Sequence, residues 1–183
     1  MKNPAIIKYA CYMSNASMSA TANISPLLFI TFHQLSYTLL GLLVLVNFCT
    51  QLAVDLIFSF YSHKFNISKT IRLMPVLTMA GLVIYSLLPA FFPGLTYTFL
   101  LIGTIIFSAS AGLAEVLTSP VIAALPSDNP ERDMSRAHSV YAWGVTAVVL
   151  LSTLYLQVFG RETWYILALL WSVIPLTAFI LFM

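Results

Sequence analysis

Glu115 lies in the run TFLLIGTIIFSASAGLAEVLTSPVIAAL, residues 98–125, with no other charge for well over a dozen residues before it. A charged side chain at the middle of a bilayer-spanning helix costs roughly 2.5–3.5 kcal/mol on insertion scales, so an acid kept there marks a substrate, ion or proton site. Polar residues recur three or four positions apart in three apolar stretches. The first stripe is Asn15, Ser19 and Asn23; the second is Asn47, Gln51, Asp55 and Ser59; the third is Ser108, Glu115 and Ser119, with Ala111 and Gly112 beside them. That spacing places a polar stripe on one face of a helix, which a helix lining a water-filled cavity needs. Groups of the same kind also pair between helices as packing glue, and the sequence leaves both readings open.

Composition sets the frame for these stripes. Of the 183 residues, 60% are hydrophobic and only 8% are charged, against about a quarter charged in a soluble domain. The chain reads as an all-α, multi-pass membrane protein. Apolar runs of spanning length predict six transmembrane helices, at 5–32, 38–62, 73–92, 97–125, 135–159 and 164–183. Short turns at 33–37, 92–94 and 160–162 join them on one side, and longer polar loops at 63–72 and 126–134 join them on the other. Lys2, Lys8, Lys64, Lys69, Arg72, Arg132 and Arg136 fall on the side of the N-terminus, and only Arg161 falls opposite. The positive-inside rule then puts both termini in the cytoplasm, with the protein in the cell (plasma) membrane. No cleavable signal is expected, because the first span is too polar and too long for an h-region. Cys11 and Cys49 both fall in spans and suggest no disulfide framework.

At about 1.5 Å per residue, Asp55, eight residues before the loop at 63, and Glu115, eleven before Pro126, both lie roughly 12–16 Å inside the cytoplasmic boundary. They share a depth near the midplane, where transporters place substrate and coupling-ion groups. Ser25-Pro26 in the first span and Ser119-Pro120 in the fourth are the trace that a three-plus-three inverted repeat would leave. His138 opens the fifth span near Asp133 and Arg136. An imidazole there can relay a proton or simply bond locally at the helix end. His33 and His63 sit at span ends, and Trp143, Trp164 and Trp171 read as packing and interface anchors.

The fourth span, Gly112-Leu-Ala-Glu115-Val-Leu-Thr-Ser-Pro120-Val-Ile-Ala-Ala-Leu125-Pro126, resembles helix 4 of the fucose-permease-like sugar transporters of the major facilitator superfamily. Ser135, His138, Ser139, Tyr141 and Gly144 match the opening of that family's helix 5 in position and partly in type. The resemblance covers all six spans and implies the N-terminal half of a twelve-helix transporter bundle. It also implies that Glu115 is a ligand for sugar hydroxyls or a proton. The chain departs from the pattern elsewhere. Where the superfamily's loop between helices 2 and 3 reads GxLxDRxGRR, Ser59 and Asn66 stand in place of glycines and His63 in place of the Asp. The first span carries only Asn and Ser where the family has an acid, and Asp55 could supply the second carboxylate.

The expected function is therefore half of a secondary active transporter moving a small polar, sugar-like solute by proton symport. Glu115, Asp55, Asn23, Gln51, Ser119 and His138 are the expected solute- and proton-binding residues. No cofactor, metal or nucleic-acid partner is expected, and the chain is not expected to be an enzyme. It lacks a Cys/His cluster with metal spacing, a GxSxG elbow and a phosphate-cradling glycine loop. The rival reading is a non-transporting scaffold or assembly subunit, which would have no need of Asp55 and Glu115. Six helices would be one wall of a pathway, so a second six-helix half is the expected partner, from the same longer chain or by dimerisation.

Overall fold

A computed structural model describes residues 3–31 and 35–183, with side chains for all of these but 25–31. Lys2 and His33, and the side chains of Ser25 and Pro26, lie outside what is described. Among the described residues the structure is helical and contains no strand. The helices are α1 (Pro4–Thr31), α2 (Tyr37–Tyr61), α3 (Ile67–Phe91), α4 (Thr96–Ala124), α5 (Pro130–Phe159), α6 (Trp164–Trp171) and α7 (Val173–Phe182), with single 3-10 turns at Ser62–Lys64, Pro93–Leu95 and Arg161–Thr163.

Five stretches are long and apolar enough to cross a membrane: Tyr37–Lys64, Ile67–Phe91, Pro93–Ala124, Pro130–Phe159 and Arg161–Phe182. At 28 residues α1 has the length as well, but its Ser, Thr and Asn residues keep it out of that group. Most of those whose side chains are described are covered by protein. Ser14, Asn15, Ser17, Ser19 and Thr21 are all buried, where α1 packs against α4, α5 and α7.

Two helices begin earlier than hydropathy indicates. α3 starts at Ile67 and α5 at Pro130, so the charged-side loops are shorter than 63–72 and 126–134. Local chemistry explains both. The Asn66 side chain accepts from Lys69 N and that of Asn129 from Arg132 N, satisfying orphan amides of the first turn, and Pro130 occupies a helix-entry position that has no amide to satisfy. The sixth apolar run is also broken, at Ser172 between α6 and α7. Pro175, three residues later, cannot donate to the carbonyl four residues before it.

The packing centres on α4, which contacts α1, α2, α3 and α5. Gly81 and Gly103 let α3 and α4 cross at backbone contact. A Cβ on Gly81 would come 2.7 Å from Phe107 N and 2.9 Å from Gly103 O, and one on Gly103 would come 2.8 Å from Gly81 O. Such small-residue seams are how helices associate where lipid offers no hydrophobic driving force. A clasp follows one face further along, where Thr78 donates to Ser110 Oγ (2.8 Å) and Ser110 to Met74 O (2.6 Å). Apolar side chains fill the remainder, mostly in two clusters, with a smaller third one at Ala20, Val148 and Trp171. Of the larger two, one lies at the charged end, around Tyr12, Phe58, Met74, Leu117 and Phe182, and the other at the opposite end, around Leu40, Leu43, Leu82, Tyr85 and Phe107. The outward faces of α2 and α5 stay bare and apolar, with Leu45, Leu52, Leu56, Leu150, Leu154 and Val158 all more than half exposed or close to it.

Candidate functional site

The three polar stripes divide between two tasks. Part of each is glue. Asn47 is buried, and its Oδ1 accepts from Gln51 Nε2 at 3.1 Å and from Ser108 Oγ at 2.5 Å, joining α2 to α4. Asn15 ties three helices together: its amide donates to Ala137 O of α5 (3.1 Å) and its carbonyl accepts from Thr118 of α4 (3.0 Å). Ser19 donates to Ala16 O and lies directly against Gly144, leaving no room for a Cβ on α5. Asn23 folds back onto its own helix, donating to Ser19 O at 2.7 Å.

Of the stripe residues, Asn15, Gln51, Glu115 and Ser119 border a cavity of about 380 Å³ between α1, α2, α4 and α5. α1 contributes Asn15 and Met18; α2 contributes Phe48 and Gln51; α4 contributes Glu115, Thr118 and Ser119; α5 contributes His138 and Tyr141. Glu115 is exposed into this space and makes no hydrogen bond or ion pair among the described residues. His138 is exposed, while Ser119 and Tyr141 are half-buried. Of the expected site residues, then, Glu115, Gln51, Ser119 and His138 meet in one cavity. Asn23 lies outside its lining.

Asp55 sits behind the cavity in the α2–α4 seam. Gly112 makes that position available: a Cβ there would come 2.8 Å from Gln51 O and 3.1 Å from Asp55 Oδ1. The Asp55 Oδ1 atom is buried without a hydrogen-bond partner, an unusual condition for a carboxylate oxygen. It lies within electrostatic reach of Glu115, as does Tyr141. The two acids thus lie within reach of each other, with Glu115 open to the cavity and Asp55 half-buried with one oxygen enclosed.

At the charged end, Asp133 is occupied by other groups. Lys8 Nζ reaches its Oδ2 at 2.5 Å and Ser127 donates to the same oxygen at 2.6 Å, while Tyr12 donates to the Asp133 carbonyl at 3.2 Å. This knot fastens α1 to the start of α5. His138 lines the cavity that holds Glu115, and the groups that hold Asp133 come from elsewhere.

Thr118 and Phe48 are among the lining residues that the sequence pattern does not single out. Thr118 has no partner in a single-helix pattern, and its place one turn from Glu115 on the same face was the only available signal. Among the described residues no cluster of three or more His, Cys, Asp or Glu side chains could hold a metal ion. No family model matches the sequence, and no curated protein matches it.

Proposed function

We propose that the chain forms one six-helix half of a secondary active transporter of the major facilitator type, carrying a small polar, sugar-like solute together with a proton. The observation that carries this reading is the cavity itself. A carboxylate without a partner, two primary amides, two hydroxyls, an imidazole and a phenol converge from four helices on about 380 Å³, within the roughly 300–1,000 Å³ typical of small-molecule sites. Gln51, Thr118 and Ser119 offer donors and acceptors of the kind that sugar hydroxyls satisfy. Glu115 accepts from the solute or takes up the proton, and releases it as the cavity's exposure alternates between the two faces. Asp55, across Gly112, supplies the second negative charge, so that protonation at one acid is felt at the other.

On this reading α1 is a sixth span, polar because its neighbours cover it. The cavity's open side is closed by a second six-helix half, since a bare carboxylate facing hydrocarbon is costly. The Lys- and Arg-rich end faces the cytoplasm. A thiol introduced by Asn66→Cys should then resist an impermeant reagent applied outside intact cells while one from Gly94→Cys reacts, and the reverse pattern inverts the orientation.

The scaffold reading draws on the Asn47–Gln51–Ser108 and Asn15–Thr118 bonds, which are packing contacts. Uptake separates the two. The assembled protein in liposomes with an inward proton gradient should accumulate a labelled pentose or hexose, and a protonophore should collapse the accumulation. A folded, associated preparation that accumulates none of them and ignores the gradient argues for the scaffold.

A further inference from the structure

A larger cleft, about 620 Å³, lies at the charged end of the bundle between α1, α3, α4 and the end of α7. Its wall is apolar: Ile7, Ile67, Ile71, Val121, Leu125 and Phe182. Its rim is not. Ser68 and Arg72 lie on it, and no Asp or Glu is among the lining residues. Arg72 is exposed and makes no ion pair or hydrogen bond among the described residues, and its neighbours Lys64 and Lys69 are exposed as well. Another cavity at this end differs in carrying an acid of its own, Asp133, which is paired with Lys8.

We propose that this cleft binds one phospholipid carrying a net-negative headgroup, with an acyl chain along the apolar wall and the phosphate on Arg72 and Ser68. The site is independent of the transport reading. Two features select this occupant over others. The apolar wall lies at the boundary of apolar helices, where lipid is the solvent, and a free inorganic anion would leave that wall uncovered. The unpaired cation at the mouth has no acid beside it, so a zwitterionic headgroup gains less there than an anionic one; basic pockets between membrane helices recognise anionic lipids on this principle.

The test uses the delipidated full chain in mild detergent, titrated with dioleoylphosphatidylglycerol or dioleoylphosphatidylcholine and read by native mass spectrometry. One tightly held phosphatidylglycerol is expected, in preference to phosphatidylcholine. Arg72→Gln should weaken it at least about tenfold, the worth of a charge-assisted hydrogen bond to the phosphate, whereas Arg72→Lys should retain most of the affinity. Val121→Trp, which fills the cleft, should weaken both lipids. Lys64→Gln removes an equal charge outside the lining and should change little. The proposal is overturned if the two lipids bind alike, or if Lys64→Gln acts as strongly as Arg72→Gln. It is overturned equally if glycerol phosphate competes as well as intact lipid, which would make the rim a site for a free anion.

Discussion

Glu115→Gln should leave the protein folded and able to exchange solute, yet reduce proton-driven accumulation to the level of passive equilibration. The amide keeps the shape of the side chain and its capacity to accept a hydrogen bond, so a solute hydroxyl still finds a partner in the cavity. It cannot take up a proton and become neutral, so the step that couples the two fluxes is gone. Asp55→Asn should give a milder phenotype, because Asp55 lies behind Gly112 and lines no part of the cavity. Counterflow and gradient-driven uptake measured on the same liposomes separate binding from coupling. Equal accumulation by Glu115→Gln and parent, with the same pH dependence, would make Glu115 a packing residue.

The largest effects on stability should come from the α3–α4 crossing. Gly81→Ala places a methyl 2.7 Å from a backbone nitrogen, and Gly103→Ala places one 2.7 Å from Tyr85 Cβ and 2.8 Å from Gly81 O. Backbone cannot swing aside as the tip of a flexible side chain can, so the helices must separate. Overpacking of this kind costs about 1–3 kcal/mol, and the Thr78–Ser110 clasp on the same interface should loosen with it. Gly41→Ala is the control, since nothing lies within 4 Å of a Cβ there. Thermal unfolding in detergent should show both seam variants melting well below the parent and Gly41→Ala close to it. Unfolding temperatures that do not distinguish the three would mean that α3 and α4 do not cross at these glycines.

The helical class and the rough placement of the apolar stretches were legible because a spanning helix needs an apolar run, and such runs are visible without any knowledge of neighbours. Where α3 and α5 begin was obscured by their polar first turns, although Asn66 and the pair Asn129-Pro130 carried capping signals that composition overrides. The break at Ser172 was signalled only by Pro175. The stripes themselves were visible, but their division was not. Asn47 and Gln51 are one turn apart on α2, yet Asn47 is sealed by Ser108 while Gln51 reaches the cavity, a distinction that belongs to the facing helix. Asn23 shared the spacing of Asn15 and turned back to Ser19, because an Asn amide can always satisfy itself on its own helix.

Everything functional here rests on the cavity between α1, α2, α4 and α5 holding water, and one thiol tests that. In a background carrying Cys11→Ala and Cys49→Ala, Ser119→Cys places a thiol in the cavity wall beside Glu115, and Leu150→Cys places one on the outward face of α5, where the side chain is 58% exposed. A permanently charged methanethiosulfonate reacts only where water reaches. The Ser119→Cys protein should be modified by it and the Leu150→Cys protein should be modified only by a lipid-soluble maleimide. If the folded Ser119→Cys protein also refuses the charged reagent and accepts only the lipid-soluble one, the stripe faces hydrocarbon or protein, and no aqueous binding site exists around Glu115.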